Sequence, residues 1–145
     1  MDTETQRSGT SPVSFFESPD VTIWQGDSRT FWRQLPERSV DAIVTSPPYF
    51  GLRDYGVDDQ LGLEPSSDEY VNDLADLLTG YGERVLKGGG SLWLNLGDTY
   101  SSTTKSTDFP EKCLLMIPER VALALIARGW ILRNKVVWAK PNGMP

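Results

Sequence analysis

Histidine is absent from the 145 residues. Without imidazole there is no Ser-His-Asp hydrolase and no His-ligated zinc. A single cysteine, Cys113, excludes an internal disulfide and a cysteine-cluster metal site. Bases are in the minority: 14 Lys plus Arg against 20 Asp plus Glu leave a net charge of -6. That total by itself disfavours a nucleic-acid binder, because phosphate neutralisation needs clustered Lys and Arg. Long apolar runs are missing as well. The longest, Val121 to Ala127, cannot span a bilayer, and the opening twelve residues contain no apolar signal-peptide core. The expectation is a reduced, cytoplasmic, soluble chain. Its length suits one domain, and at 39% hydrophobic and 23% charged it can bury a core.

The net charge hides an asymmetry. Residues 1–83 hold 16 acids and 5 bases, whereas residues 84–145 hold 4 acids and 9 bases. Such a split points to a polyanion-facing basic side, or to two solvated faces of opposite sign.

Residues 1–14 read as a flexible tail and 15–145 as one domain. Short strands are predicted over 21–24, 40–44, 91–96 and 130–139. Helices are predicted over 28–35, from Ser66 to about Val85, and from Pro118 to Arg128. Ser66 and Glu69 have capping-box spacing, and Gly88-Gly-Gly90 reads as the stop of the long helix. Strands alternating with helices indicate an α/β fold with a mostly parallel sheet flanked by helices. Trp93, Trp130 and Trp138 are expected in its core.

The chemistry lies in Asp41-Ala-Ile-Val-Thr-Ser-Pro-Pro-Tyr49. A buried parallel strand runs into Ser46-Pro47-Pro48-Tyr49, and ligands of open α/β sheets bind at such carboxyl ends. Two prolines fix φ and remove two N–H donors. The corner is therefore rigid and rich in acceptors, with the Tyr49 ring beside it. An exocyclic amino group of cytosine or adenine is a poor nucleophile, since its lone pair is delocalised into the ring. Two acceptors on its hydrogens favour a pyramidal nitrogen and free that lone pair for attack on a methyl group, so positioning is the main contribution. The base must leave its stack, and an aromatic ring replaces the lost stacking.

Ser-Pro-Pro-Tyr resembles the catalytic motif of the amino-methylating DNA methyltransferases. Gly26-Asp27, Phe50 to Gly56, Leu94-Asn-Leu-Gly-Asp98, Ile117-Pro-Glu-Arg120, Gly129-Trp130 and Val137 to Asn142 resemble further family segments in the same order. The likeness covers roughly residues 20 to 145. It implies a Rossmann-like S-adenosylmethionine-dependent methyltransferase fold and DNA as substrate. It implies that Ser46 and the Pro47 carbonyl accept the amino hydrogens. Tyr49 would stack on the flipped base with Pro48 packed beside it, and Asp27 would bond the adenine end of S-adenosylmethionine. A Ser in the first motif position favours cytosine N4 over adenine N6.

Arg53 is a candidate DNA-phosphate ligand, with a surface ion pair as its alternative. Lys140 and Asn142 are candidates to face DNA, or else a solvated strand end. The family's Phe-x-Gly-x-Gly cofactor loop has no counterpart here. The expected chain is thus a catalytic half. Its target-recognition region and cofactor half would be supplied by a continuation or by a second polypeptide. A non-catalytic DNA-binding or assembly module, and an amino-methyltransferase acting on protein or RNA, are the alternatives.

Overall fold

The computed structural model describes residues 13–102 and 109–141. Val13–Glu17 (β1) and Thr22–Gln25 (β2) pair antiparallel, and Ser18 closes their turn onto Val21. Ser28–Gln34 (α1), Val40–Thr45 (β3) and Ser67–Leu77 (α2) follow. The helix axis continues through a π-turn at Leu78–Gly82 and a last turn at Glu83–Val85 (α3). Leu86–Leu94 (β4) lies parallel to β3, and Ile117–Ala127 (α4) packs on α2.

The sequence patterns explain most of these elements. Ser66 caps α2 by accepting from the Glu69 amide at 3.1 Å, as the capping box requires. Tyr70, Val71, Leu74, Ala75 and Leu78 are buried along one stripe of that helix. Ile117, Val121 and Leu125, spaced by four, form the facing stripe of α4. Leu92 and Leu94 of β4 and the buried Phe50 complete this core. Arg84 reaches back to the Trp32 and Leu35 carbonyls at the end of α1, the first of which also accepts from the Leu35 amide at the C-cap.

Four expectations change. β1 starts at Val13, inside the stretch 1–14 expected to be a tail; residues 1–12 lie outside the described part. The strand at 21–24 joins a hairpin, not the parallel sheet. The triple glycine does not stop the long helix but sits inside β4, in a bulge opposite Asp41. A Cβ on Gly90 would lie 3.1 Å from the Asp41 carbonyl, and Gly89 has φ +126°, so glycine is needed for this close, left-handed crossing. Residues 130–139 form no strand. Ile131, Val136, Val137 and Trp138 are 73–79% exposed, and no described strand offers them a ladder.

The mostly parallel sheet is thus represented by one parallel pair beside one antiparallel pair. Its inward face carries Leu92 and Leu94, while Val44 and Trp93 on the other face are 79% and 61% exposed. The core assignment of Trp93 and Trp138 is corrected accordingly. Trp130 does pack against the core and donates its indole N–H to Thr79.

The charge asymmetry also finds its explanation here. Arg120 pairs with Asp68 and Arg128 with Asp76 at 2.7 Å, so a base in α4 and one at its C-cap bind acidic α2. Lys87 pairs with Asp41 and Lys135 with Glu119. Much of the basic excess of residues 84–145 therefore holds the fold together and does not form a free basic face.

Candidate active site

The β3–β4 register builds the site. Thr45 pairs with Leu94, and the Asn95 amide donates to the Thr45 carbonyl at 2.9 Å. Ser46 and Asn95, 49 residues apart, consequently leave the ends of two parallel strands side by side. Asn95 Nδ2 donates to Tyr49 Oη at 2.9 Å and to Ser46 Oγ at 3.3 Å; Ser46 Oγ and Tyr49 Oη are 3.2 Å apart. Ser46 is exposed and Tyr49 half-buried, so both are within reach of a ligand.

The rest of the corner is anchored from below. Tyr70, fully buried on α2, donates its hydroxyl to the Pro48 carbonyl at 2.9 Å. Burial, helped by the nearby Glu64 and Tyr49, pushes the Tyr70 phenol far above its ordinary range, so it stays a donor. Phe50 is buried against the Tyr70 ring at 5.6 Å. Gly51 donates to the Gly62 carbonyl at 2.7 Å, and a Cβ on Gly62, where φ is +94°, would lie 2.8 Å from the Tyr49 carbonyl. With the Pro48 carbonyl occupied, no described hydrogen bond ends on the Pro47 carbonyl. The Ser46 side chain beside it is exposed.

The other candidates are dispersed. Asp27 caps α1 through the Arg29 amide at 2.8 Å, and both its carboxylate oxygens bond the Arg29 guanidinium. Burial opposes its ionisation, but the Arg29 bonds outweigh it and hold Asp27 below the usual carboxylate range. Arg53 is exposed, and among the described residues its guanidinium makes no ion pair. Lys140 sits 5.6 Å from the exposed Trp138 ring, and Asn142 lies outside the described residues.

Tyr70, Asn95, Gly97 and Asp98 were not singled out from the sequence. Tyr70 read only as one member of an apolar stripe, and the other three only as part of a family-like segment. Asp98 accepts from the Ile117 amide at 3.0 Å and so caps α4, whose own preceding residue, Met116, offers no side-chain cap. Asp98→Ala should cost about 0.5–2 kcal/mol of stability, whereas Asp98→Asn, which keeps an acceptor, should cost less. Urea unfolding of both variants checks this.

Glu64 accepts from the Gly62 amide at 2.9 Å and is half-buried near Asp73 and Glu69. Burial, then these like charges, push its carboxyl upward despite the Gly62 bond. A raised folded value gives stability that is complete below the unfolded value and is lost as pH rises through the folded one. Glu64→Gln should therefore gain on the unsubstituted chain from acid toward neutral pH. Melting curves for both proteins at pH 5 and pH 7 test that; a Tm difference, variant minus unsubstituted, that falls toward neutrality would contradict it.

Among the described residues, no helix is long and apolar enough to cross a membrane. No solved structure matches the chain. Among curated proteins it is 43% identical to the Type II methyltransferase M.Cfr9I of Citrobacter freundii, over 86% of this chain and 48% of that protein. It is 42% identical to the Type II methyltransferase M.SfiI of Streptomyces fimbriatus, over 94% of this chain and 34% of that protein. It is also 41% identical to the Type II methyltransferase M.SmaI of Serratia marcescens, over 83% of this chain and 48% of that protein. The chain spans about half or less of the length of these relatives. Residues 40–145, from the start of β3 through the Ser-Pro-Pro-Tyr corner and α4, match the DNA methylase family, and the chain belongs to that family.

Proposed function

We propose that this chain carries the target-amine half of a DNA methyltransferase and directs methylation to the exocyclic amino group of a flipped base, cytosine N4 in preference to adenine N6. The observation that carries this reading is the exposed Ser46 hydroxyl at the end of β3, with the Tyr49 ring beside it and a Pro47 carbonyl that no described hydrogen bond occupies. The two acceptors bind the amino hydrogens and turn the nitrogen lone pair outward. The Tyr49 ring replaces the stacking lost when the base leaves the duplex, worth about 1–3 kcal/mol. The methylated amine is acidic enough to lose its proton to water, so a chain without histidine is not handicapped.

S-adenosylmethionine supplies the methyl group in this family. The fit of the described residues to it is incomplete: Arg29 occupies both oxygens of Asp27. The sequence has no Phe-x-Gly-x-Gly loop. Asp27 is assigned to its adenine end on condition that Arg29 releases the carboxylate, and the glycine loop and target recognition are assigned to polypeptide outside these residues. Arg53, Lys140 and Asn142 are the proposed phosphate contacts. The guanidinium of Arg53, which makes no ion pair among the described residues and lies in the loop that follows Tyr49, supports the first of them.

The test is tritium transfer from labelled S-adenosylmethionine to DNA, RNA and protein acceptors. It uses the chain with and without a second polypeptide bearing the glycine loop. The expected result is N4-methylcytosine in DNA with both polypeptides present and little or none with the chain alone. N6-methyladenine would overturn the base assignment. Transfer to RNA or protein alone would overturn the DNA assignment.

A further inference from the structure

The proposed acceptor role of Ser46 depends on where its own proton points, and the structure holds the group that decides this. If the Tyr49 hydroxyl and Asn95 both donated to Ser46 Oγ, its lone pairs would be filled and it could not take an amino hydrogen. Asn95 Nδ2 also donates to Tyr49 Oη, at 2.9 Å against 3.3 Å for the Ser46 bond. With that bond made, Tyr49 Oη still has a lone pair for the Ser46 proton at 3.2 Å; either oxygen can donate across this contact, and donation from Ser46 to Tyr49 is the direction that suits a substrate acceptor. Ser46 Oγ then accepts only the longer Asn95 bond and keeps one lone pair for the substrate. The backbone bond from Asn95 to Thr45 keeps the amide in place, since Thr45 immediately precedes Ser46.

Gly97 fixes the other half of the geometry. A Cβ there would lie 2.8 Å from both Cδ2 and Cε2 of the Tyr49 ring. Gly97 is not among the glycines with positive φ, so the ring, and not the backbone conformation, excludes a side chain. From these contacts we infer that Asn95 and Gly97 are positioning residues: Asn95 sets the hydroxyl polarity that keeps Ser46 an acceptor, and Gly97 seats the Tyr49 ring.

This inference rests on the amino-methyltransferase reading, and two measurements separate the fates of the two. The first needs no turnover. In the ¹⁵N-labelled chain the Asn95 side-chain amide signal, assigned by its loss in Asn95→Ala, should shift on Tyr49→Phe, which removes only the phenol oxygen. An amide signal indifferent to that change overturns the inference. The second is transfer by the two-polypeptide assembly described above. Asn95→Ala should lower kcat about 10- to 100-fold with KM for DNA nearly unchanged, as for a group that aligns without binding. Gly97→Ala should do the same in the presence of Tyr49, yet add less than about twofold to Tyr49→Ala. Wild-type rates in Asn95→Ala, or equal Gly97→Ala losses with and without the Tyr49 ring, overturn the inference. No transfer by the unsubstituted assembly would instead sink the methyltransferase reading, and the amide signal would still decide whether Asn95 holds the pair.

Discussion

Ser46→Ala should lower methyl transfer by about 10²-fold or more while leaving the fold intact. The side chain is exposed, and among the described residues its hydrogen bonds run only to Tyr49 and Asn95, so removing it empties no core position. What goes is one of the two acceptors that turn the amine lone pair outward. The Pro47 carbonyl alone can hold one hydrogen, which leaves the nitrogen free to relax into conjugation with its ring. The loss should therefore fall in kcat, with DNA affinity nearly unchanged. Tyr49→Ala should behave differently, weakening the hold on the extruded base by about 1–3 kcal/mol. Steady-state kinetics with the two-polypeptide assembly distinguish these patterns. If both variants worked at the unsubstituted rate, the chain would be a DNA-binding or assembly module that has kept the methyltransferase scaffold.

Tyr70→Ala is expected to be the most damaging single change to stability, at about 3–5 kcal/mol. Tyr70 is fully buried at the meeting point of α2, Phe50 and the Ser-Pro-Pro-Tyr corner. Truncation opens a cavity there and strips the Pro48 carbonyl of its donor. Tyr70→Phe separates the two effects. It keeps the ring and leaves the carbonyl unsatisfied, for about 1–3 kcal/mol. Urea unfolding of both variants gives the magnitudes. Transfer kinetics of Tyr70→Phe add a second reading, because an unanchored Pro48 should loosen the Pro47 carbonyl beside it and lower kcat. Equal stability of Tyr70→Phe and the unsubstituted chain would show that the bond to Pro48 contributes nothing.

Local signals were enough for much of this protein. The Ser66 cap, the stripe from Tyr70 to Leu78, the β-formers at Val40–Thr45 and the proline at the start of α4 each act within a turn or two of chain, where spacing translates directly into structure. The signals that misled were those whose meaning depends on a distant partner. Three glycines terminate a helix or form a bulge according to what lies opposite; here Asp41, on the neighbouring strand, decides for the bulge. Residues 130–139 have the composition of a strand, but composition cannot supply the ladder that would make them one. The basic C-terminal part looked like a DNA face until Arg120 and Arg128 were found facing the acids of α2.

The sequence alone determined the kind of chemistry. Histidine's absence closed the imidazole routes, and Ser46-Pro47-Pro48-Tyr49 at a strand end marked the corner proposed to bind the amine, because prolines act on their own backbone whatever surrounds them. Only the tertiary structure decided how that corner is held. Tyr70, Asn95 and Gly97 lie 22 to 49 residues from the groups they touch, and parallel strand register and helix packing bring them there. Hydroxyl polarity, ring seating and carbonyl occupancy are contacts between chain-distant atoms, and no periodicity along the sequence encodes them.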